Sequence, residues 1–202
     1  MVHSKERPMG EPALKTDETF TYKQYKDWPE DDRWELIHGV AWAMGAPRTI
    51  HQRLLGRLYR NFADHLDGKP CEPMLSPFDV LLADDDVALD DIDTVVQPDL
   101  VVICDKTRLL DIGYRGGPAL VVEILSPSTS RKDLHDKFSL YETFGVKEYW
   151  VVDPASRSVQ VFRPDAQGRF DRGELLEKTG TMVSRVFEGL AVDLGALFAE
   201  PA

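Results

Sequence analysis

A glutamate lies inside the run PALVVEILS, flanked by Leu120, Val121 and Val122 on one side and Ile124 and Leu125 on the other. A near-continuous apolar run of this length is the mark of a strand covered on both faces. An ionised carboxylate in such a strand costs several kcal/mol (roughly) unless it is paired or bound to a cation. Glu123 therefore demands a partner, and its identity constrains both the fold and the chemistry. The structural alternative is a buried salt bridge, with Arg115 or Lys147 as candidate partners.

A second carboxylate sharpens the question. Asp99 opens another apolar strand, QPDLVVICD, and the connection to the Glu123 strand contains Gly113, Gly116 and Gly117. That connection brings the two strands side by side. Neighbouring carboxylates repel unless a cation lies between them. Oxygen donors suit Mg²⁺ or Mn²⁺, with water in the remaining positions. Lys137 falls on the helix predicted after the Glu123 strand. It is either half of a surface pair with Asp133 or an ammonium set over the carboxylates. Glu35, in RWELIHG, is a candidate third carboxylate, although the residue pattern alone favours an exposed strand glutamate.

The remaining pattern is α/β (α+β), a mixed sheet flanked by helices. Residues 21–29 read as a short helix and RWELIHGVAWAM as a strand pair about Gly39. Ile50, Leu54, Leu55, Leu58, Phe62 and Leu66 form one stripe of an amphipathic helix over 48–66. SPFDVLLA and KEYWVVDP read as strands, and the C-terminal third as antiparallel strands at the sheet margin. Ser130 and Asp133 resemble a capping box. Leu134, Phe138 and Tyr141 have helical spacing, and Gly145 is the stop. Residues 1–18 are expected to be extended or disordered, and 19–202 to form one domain.

Charge is segregated. The net charge of −11 opposes generic nucleic-acid binding. Asp84, Asp85, Asp86, Asp90, Asp91 and Asp93 crowd one loop, whereas Arg48, Arg53, Arg57 and Arg60 occupy a stretch free of acids. The start of the 48–66 helix, with Arg48, His51 and Arg53, is the candidate phosphate-binding face. Cys71 and Cys104 have no metal-type spacing and read as two buried thiols. The chain has no apolar run of membrane-spanning length and no secretory leader, which predicts a cytoplasmic protein. No P-loop, G-x-G-x-x-G, H-E-x-x-H or G-x-S-x-G pattern occurs.

WELIHG, HQRLLGRL, SPFDVLL, QPDLVVICD, the block Val121 to Pro154 and the trailing QVFR together resemble the Uma-two family of restriction-endonuclease-like proteins. That family is a branch of the PD-(D/E)XK nuclease superfamily, and the resemblance runs from about Thr19 to about Leu197. It implies a restriction-endonuclease-like fold, a metal-dependent endonuclease acting on DNA, a homodimer, and Mg²⁺ or Mn²⁺ held by Asp99, Glu123, the carbonyl of Ile124 and Glu35. One departure stands out. The superfamily lysine lies two residues after the glutamate on the same strand face, where this chain has Leu125. The resemblance offers Lys137 as a relocated lysine. The rival reading is a catalytically inactive nucleic-acid- or protein-binding module on a nuclease fold.

Overall fold

The computed structural model describes residues 18–29, 33–126 and 133–200. Among the described residues the α-helices are α1 (Tyr22–Tyr25), α2 (Thr49–Leu66), α3 (Phe138–Thr143) and α4 (Leu194–Leu197). In chain order the strands are β1 (Trp34–Ile37), β2 (Val40–Ala43), β3 (Glu72–Leu75), β4 (Val80–Leu81), β5 (Val95–Val96), β6 (Leu100–Ile103) and β7 (Leu109–Leu110). There follow β8 (Gly113–Arg115), β9 (Leu120–Ile124), β10 (Glu148–Asp153), β11 (Ser158–Phe162), β12 (Glu174–Glu177), β13 (Thr181–Val183) and β14 (Ala191–Asp193).

The central sheet has the order β12-β11-β10-β9-β6-β3. Only β9 and β10 within it run parallel, joined by the crossover that contains α3. A second sheet, β2-β1-β5-β4-β8-β7, carries the N-terminal hairpin. Every residue of β9 is buried, as its apolar run predicts. Strand alternation divides its side chains between two cores. Leu120, Val122 and Ile124 join Leu54, Leu58, Phe62 and Trp150 beneath α2. Val121 points the other way, among Val101, Tyr141, Tyr149 and residues of the second sheet such as Val80 and Tyr114.

Several expectations change in detail. The 48–66 helix is present as α2, but Ile50 lies at its exposed start, 42% accessible, and leaves the apolar stripe to Leu54, Leu55, Leu58, Phe62 and Leu66. The SPFDVLLA strand shortens to β4. The capping box at Ser130 lies outside the described residues, as do residues 1–17. Cys71 and Cys104 are not free thiols: they form a disulfide. Cys71 directly precedes β3 and Cys104 directly follows β6, and the pairing of Glu72 with Ile103 sets them opposite one another. That adjacency comes from strand register, which the spacing of two cysteines in sequence does not reveal.

Candidate active site

Glu123 is 4% exposed and faces the side of the sheet occupied by Val121, where α3 and the second sheet pack. The antiparallel register Leu100↔Val122, carried one step further, places Asp99 opposite Glu123. Asp99 directly precedes β6, so Asp99 and Glu123 occupy neighbouring positions of two paired strands.

Lys137 completes the arrangement from outside the sheet. Asp133–Lys137 forms one π-helical turn ahead of α3, a local widening often found at functional positions. It delivers Lys137 to the interior, 2% exposed. The ammonium donates to Glu123 Oε1 at 2.7 Å and lies 2.8 Å from Glu35 Oε1. One turn on, the Tyr141 hydroxyl donates to the same Glu123 oxygen at 2.8 Å. Positions i and i+4 share a helix face, so a single edge of this helix engages Glu123 twice. Burial, reinforced by the charge of Glu123, holds the Tyr141 hydroxyl well above its ordinary pKa. It is a neutral donor. The pairing of Glu123 with Arg115 is not what the fold builds: Arg115 donates to the carbonyls of Asp84 and Val87.

Glu35 enters from β1 and is 1% exposed, which removes the exposed-strand reading. The Gln97 backbone N–H donates to its Oε1 at 2.9 Å. The Gln97 side chain extends the network, donating to Asp79 Oδ1 at 2.8 Å and accepting from Arg33 Nε at 3.1 Å. Tyr25 also donates to Asp79 Oδ1, at 3.0 Å. Burial raises the Asp79 carboxyl pKa, with the bonds from Gln97 and Tyr25 opposing the shift. This cluster fastens the N-terminal hairpin to the segment leading into β6, and so sets Glu35 against Lys137.

Asp99 has different partners. The backbone N–H of Ile124 donates to its Oδ2 at 2.7 Å, and His51 Nε2 lies 3.0 Å from the same oxygen. His51 comes from the first turn of α2. Arg48, Arg53 and Arg60 are exposed on that helix, whereas Arg57 is committed to the carbonyls of Leu197 and Ala199, each at 2.7 Å. Leu125, at the usual lysine position, packs against the apolar cluster on the Glu123 face.

The structure thus gathers Glu35, Glu123 and Lys137 by direct contact and joins Asp99 to Ile124 and His51. Among the described residues no three His, Cys, Asp or Glu side chains converge as a metal-binding group. Among the described residues, a cation that Glu35 and Glu123 share is the Lys137 ammonium. Mg²⁺ needs only one or two protein carboxylates and keeps several waters, and two carboxylates at neighbouring positions of the paired strands, Asp99 and Glu123, are donors of the chemical type it takes. Tyr141 and Gln97 are site residues that sequence reasoning did not assign. The i+4 relation of Tyr141 to Lys137 was a usable signal; nothing local marks Gln97.

Comparison with known proteins agrees with this architecture. Residues 22–195 match the model of the Uma2 family, described as "Putative restriction endonuclease". An uncharacterized protein of Synechocystis, slr1290, is 30% identical over 151 residues, covering 72% of this chain and 75% of the relative. A crystal structure from Anabaena variabilis, described as a "putative nuclease belonging to DUF820", superposes with a TM-score of 0.71 at 19% identity. The match covers 89% of this chain and 97% of that one, and shows a common, nuclease-like fold. Among the described residues no helix is long and apolar enough to cross a membrane.

Proposed function

Given that this chain belongs to the Uma2 family, we propose that it is a Mg²⁺- or Mn²⁺-dependent endonuclease that hydrolyses nucleic-acid phosphodiesters, with DNA as the substrate. The observation that carries the reading is the Lys137–Glu123 contact of 2.7 Å. It returns a lysine to the carboxylates although Leu125 occupies the strand position where the superfamily keeps one.

Asp99 and Glu123 are the residues that would hold the ion, with the carbonyl of Ile124 and with Glu35 as the further carboxylate of the same pocket. A bound ion would polarise the scissile phosphate and acidify the attacking water. The chain's own groups do the rest. Lys137 stabilises negative charge as it develops on the phosphoryl oxygens. Tyr141 keeps Glu123 oriented through its hydroxyl, and Gln97 does the same for Glu35. Arg48 and Arg53, exposed at the start of α2, draw phosphates to that end of the helix, whereas His51 between them is turned onto Asp99. This local field opposes the net charge of −11.

The test is cleavage of supercoiled plasmid with Mn²⁺ by the full chain, Glu123→Ala and Lys137→Ala. Wild-type cleavage with a loss of about 100-fold or more in each variant is expected. Cleavage that survives Glu123→Ala unchanged overturns the proposal.

One observation also supports a second reading, a binding module without catalysis. Lys137 already does for Glu35 and Glu123 what a divalent cation would do. In that case calorimetric titration gives no Mn²⁺ binding, while binding to DNA persists and falls when Arg48 and Arg53 are replaced by alanine.

A further inference from the structure

We infer that His51 is a positioning residue for Asp99: it holds one carboxylate oxygen so that the other faces a divalent cation. The inference rests on the metal-site reading above and adds to it a role for a residue outside the carboxylate–lysine set.

The geometry is specific. Asp99 Oδ2 accepts from Ile124 N–H at 2.7 Å and lies 3.0 Å from His51 Nε2. A carboxylate can only accept, so Nε2 carries the proton. Among the described residues no donor reaches Asp99 Oδ1. The terminal torsion of an aspartate is soft, with broad minima. Two donors on one oxygen, from different elements, turn that soft group into a fixed one. Ile124 N–H anchors it from the neighbouring strand β9, and His51 from α2. The oxygen left over is the one that can ligate.

The other ring nitrogen strengthens the case. His51 Nδ1 is buried and, among the described residues, has no hydrogen-bond partner. An unsatisfied buried polar atom costs stability and calls for an explanation. The polar contact that orients the ring, among the described residues, is the one to Asp99. The side chain is 13% exposed and that of Asp99 15%, so the contact is largely shielded from water. Partners of this kind tune metal affinity because they fix both the direction and the basicity of the ligand.

The experiment is calorimetric titration of Mn²⁺ into the full chain, with wild type, His51→Ala, His51→Gln and His51→Asn, alongside thermal melts in EDTA. Glutamine can present its amide N–H near the place of Nε2, and asparagine is too short. His51→Ala is expected to weaken Mn²⁺ binding by about 10-fold or more, with most of the affinity restored in His51→Gln and little in His51→Asn. A purely structural histidine would change the melts in EDTA and leave the Mn²⁺ affinity of the folded protein alone. Wild-type binding that His51→Ala leaves unchanged overturns the positioning role and spares the metal site. No Mn²⁺ binding by wild type overturns both. If His51→Ala does not fold, equal affinities for His51→Gln and His51→Asn overturn the inference.

Discussion

Replacing Lys137 with methionine removes the ammonium that Glu35 and Glu123 share while keeping most of the side-chain volume. Both carboxylates are buried, their side chains 2% and 5% exposed, so neither gains bulk water in exchange. Breaking a buried ion pair by removing one partner costs about 3–5 kcal/mol. The lower end applies here, because Glu123 keeps the Tyr141 hydroxyl and Glu35 keeps the Gln97 N–H. About 3 kcal/mol is a large share of the 5–15 kcal/mol (roughly) that a domain has in total. For a chain of this size it corresponds to a fall in melting temperature of about 6–12 °C. The assay is urea unfolding in EDTA of wild type, Lys137→Met, and Lys137→Met combined with Glu123→Gln. The double variant is expected to recover part of the loss, since a neutral amide no longer needs a counter-charge. Adding Mn²⁺ to Lys137→Met is also expected to restore stability, through a cation placed where the ammonium was. A single variant within about 1 kcal/mol of wild type in EDTA would refute the reasoning.

Three further outcomes follow from other parts of the fold. Glu148 is 0% exposed and accepts from Trp150 Nε1, Arg163 Nε, Ser184 Oγ and Arg185 N, so Glu148→Leu should cost about 3–5 kcal/mol in urea unfolding, chiefly through the Arg163 guanidinium left behind. Burial raises the Asp79 pKa, so the folded protein holds that proton more tightly than the unfolded chain and loses stability as pH rises from the ordinary carboxylate value through the raised one. Asp79→Asn should therefore gain on wild type as pH rises from the ordinary carboxylate value through the raised one, and a stability difference constant across that rise would count against the shift. The Cys71–Cys104 bond closes a separation of 33 residues, for which loop entropy predicts a loss of about 3–4 kcal/mol on reduction. Identical denaturation curves with and without reductant would contradict it, and a reducing cytosol would keep the bond open.

The comparison of Glu123 with Glu148 shows how far a sequence can be read. Both are acids beside long apolar strands. One meets a lysine and a tyrosine at the candidate site, and the other meets an arginine that fastens the C-terminal segment to the sheet. No local pattern separates them. What distinguishes them is the element packed on each face.

Strand β9, the amphipathic α2, the anomaly at Glu123 and the family motifs were all legible in the sequence, because periodicity and burial preference are local properties of a chain. The pairing of the Asp99 and Glu123 strands was expected from the glycine-containing connection between them, and the register bears it out. Only the tertiary structure decided that Lys137 turns inward, that Glu35 arrives from the second sheet to share its ammonium, that His51 rests on Asp99, and that the two cysteines face each other. Those contacts join residues 14, 102, 48 and 33 positions apart. Separations of that kind are set by register, by one π-helical turn and by the packing of two sheets, and none of these has a signature in neighbouring residues.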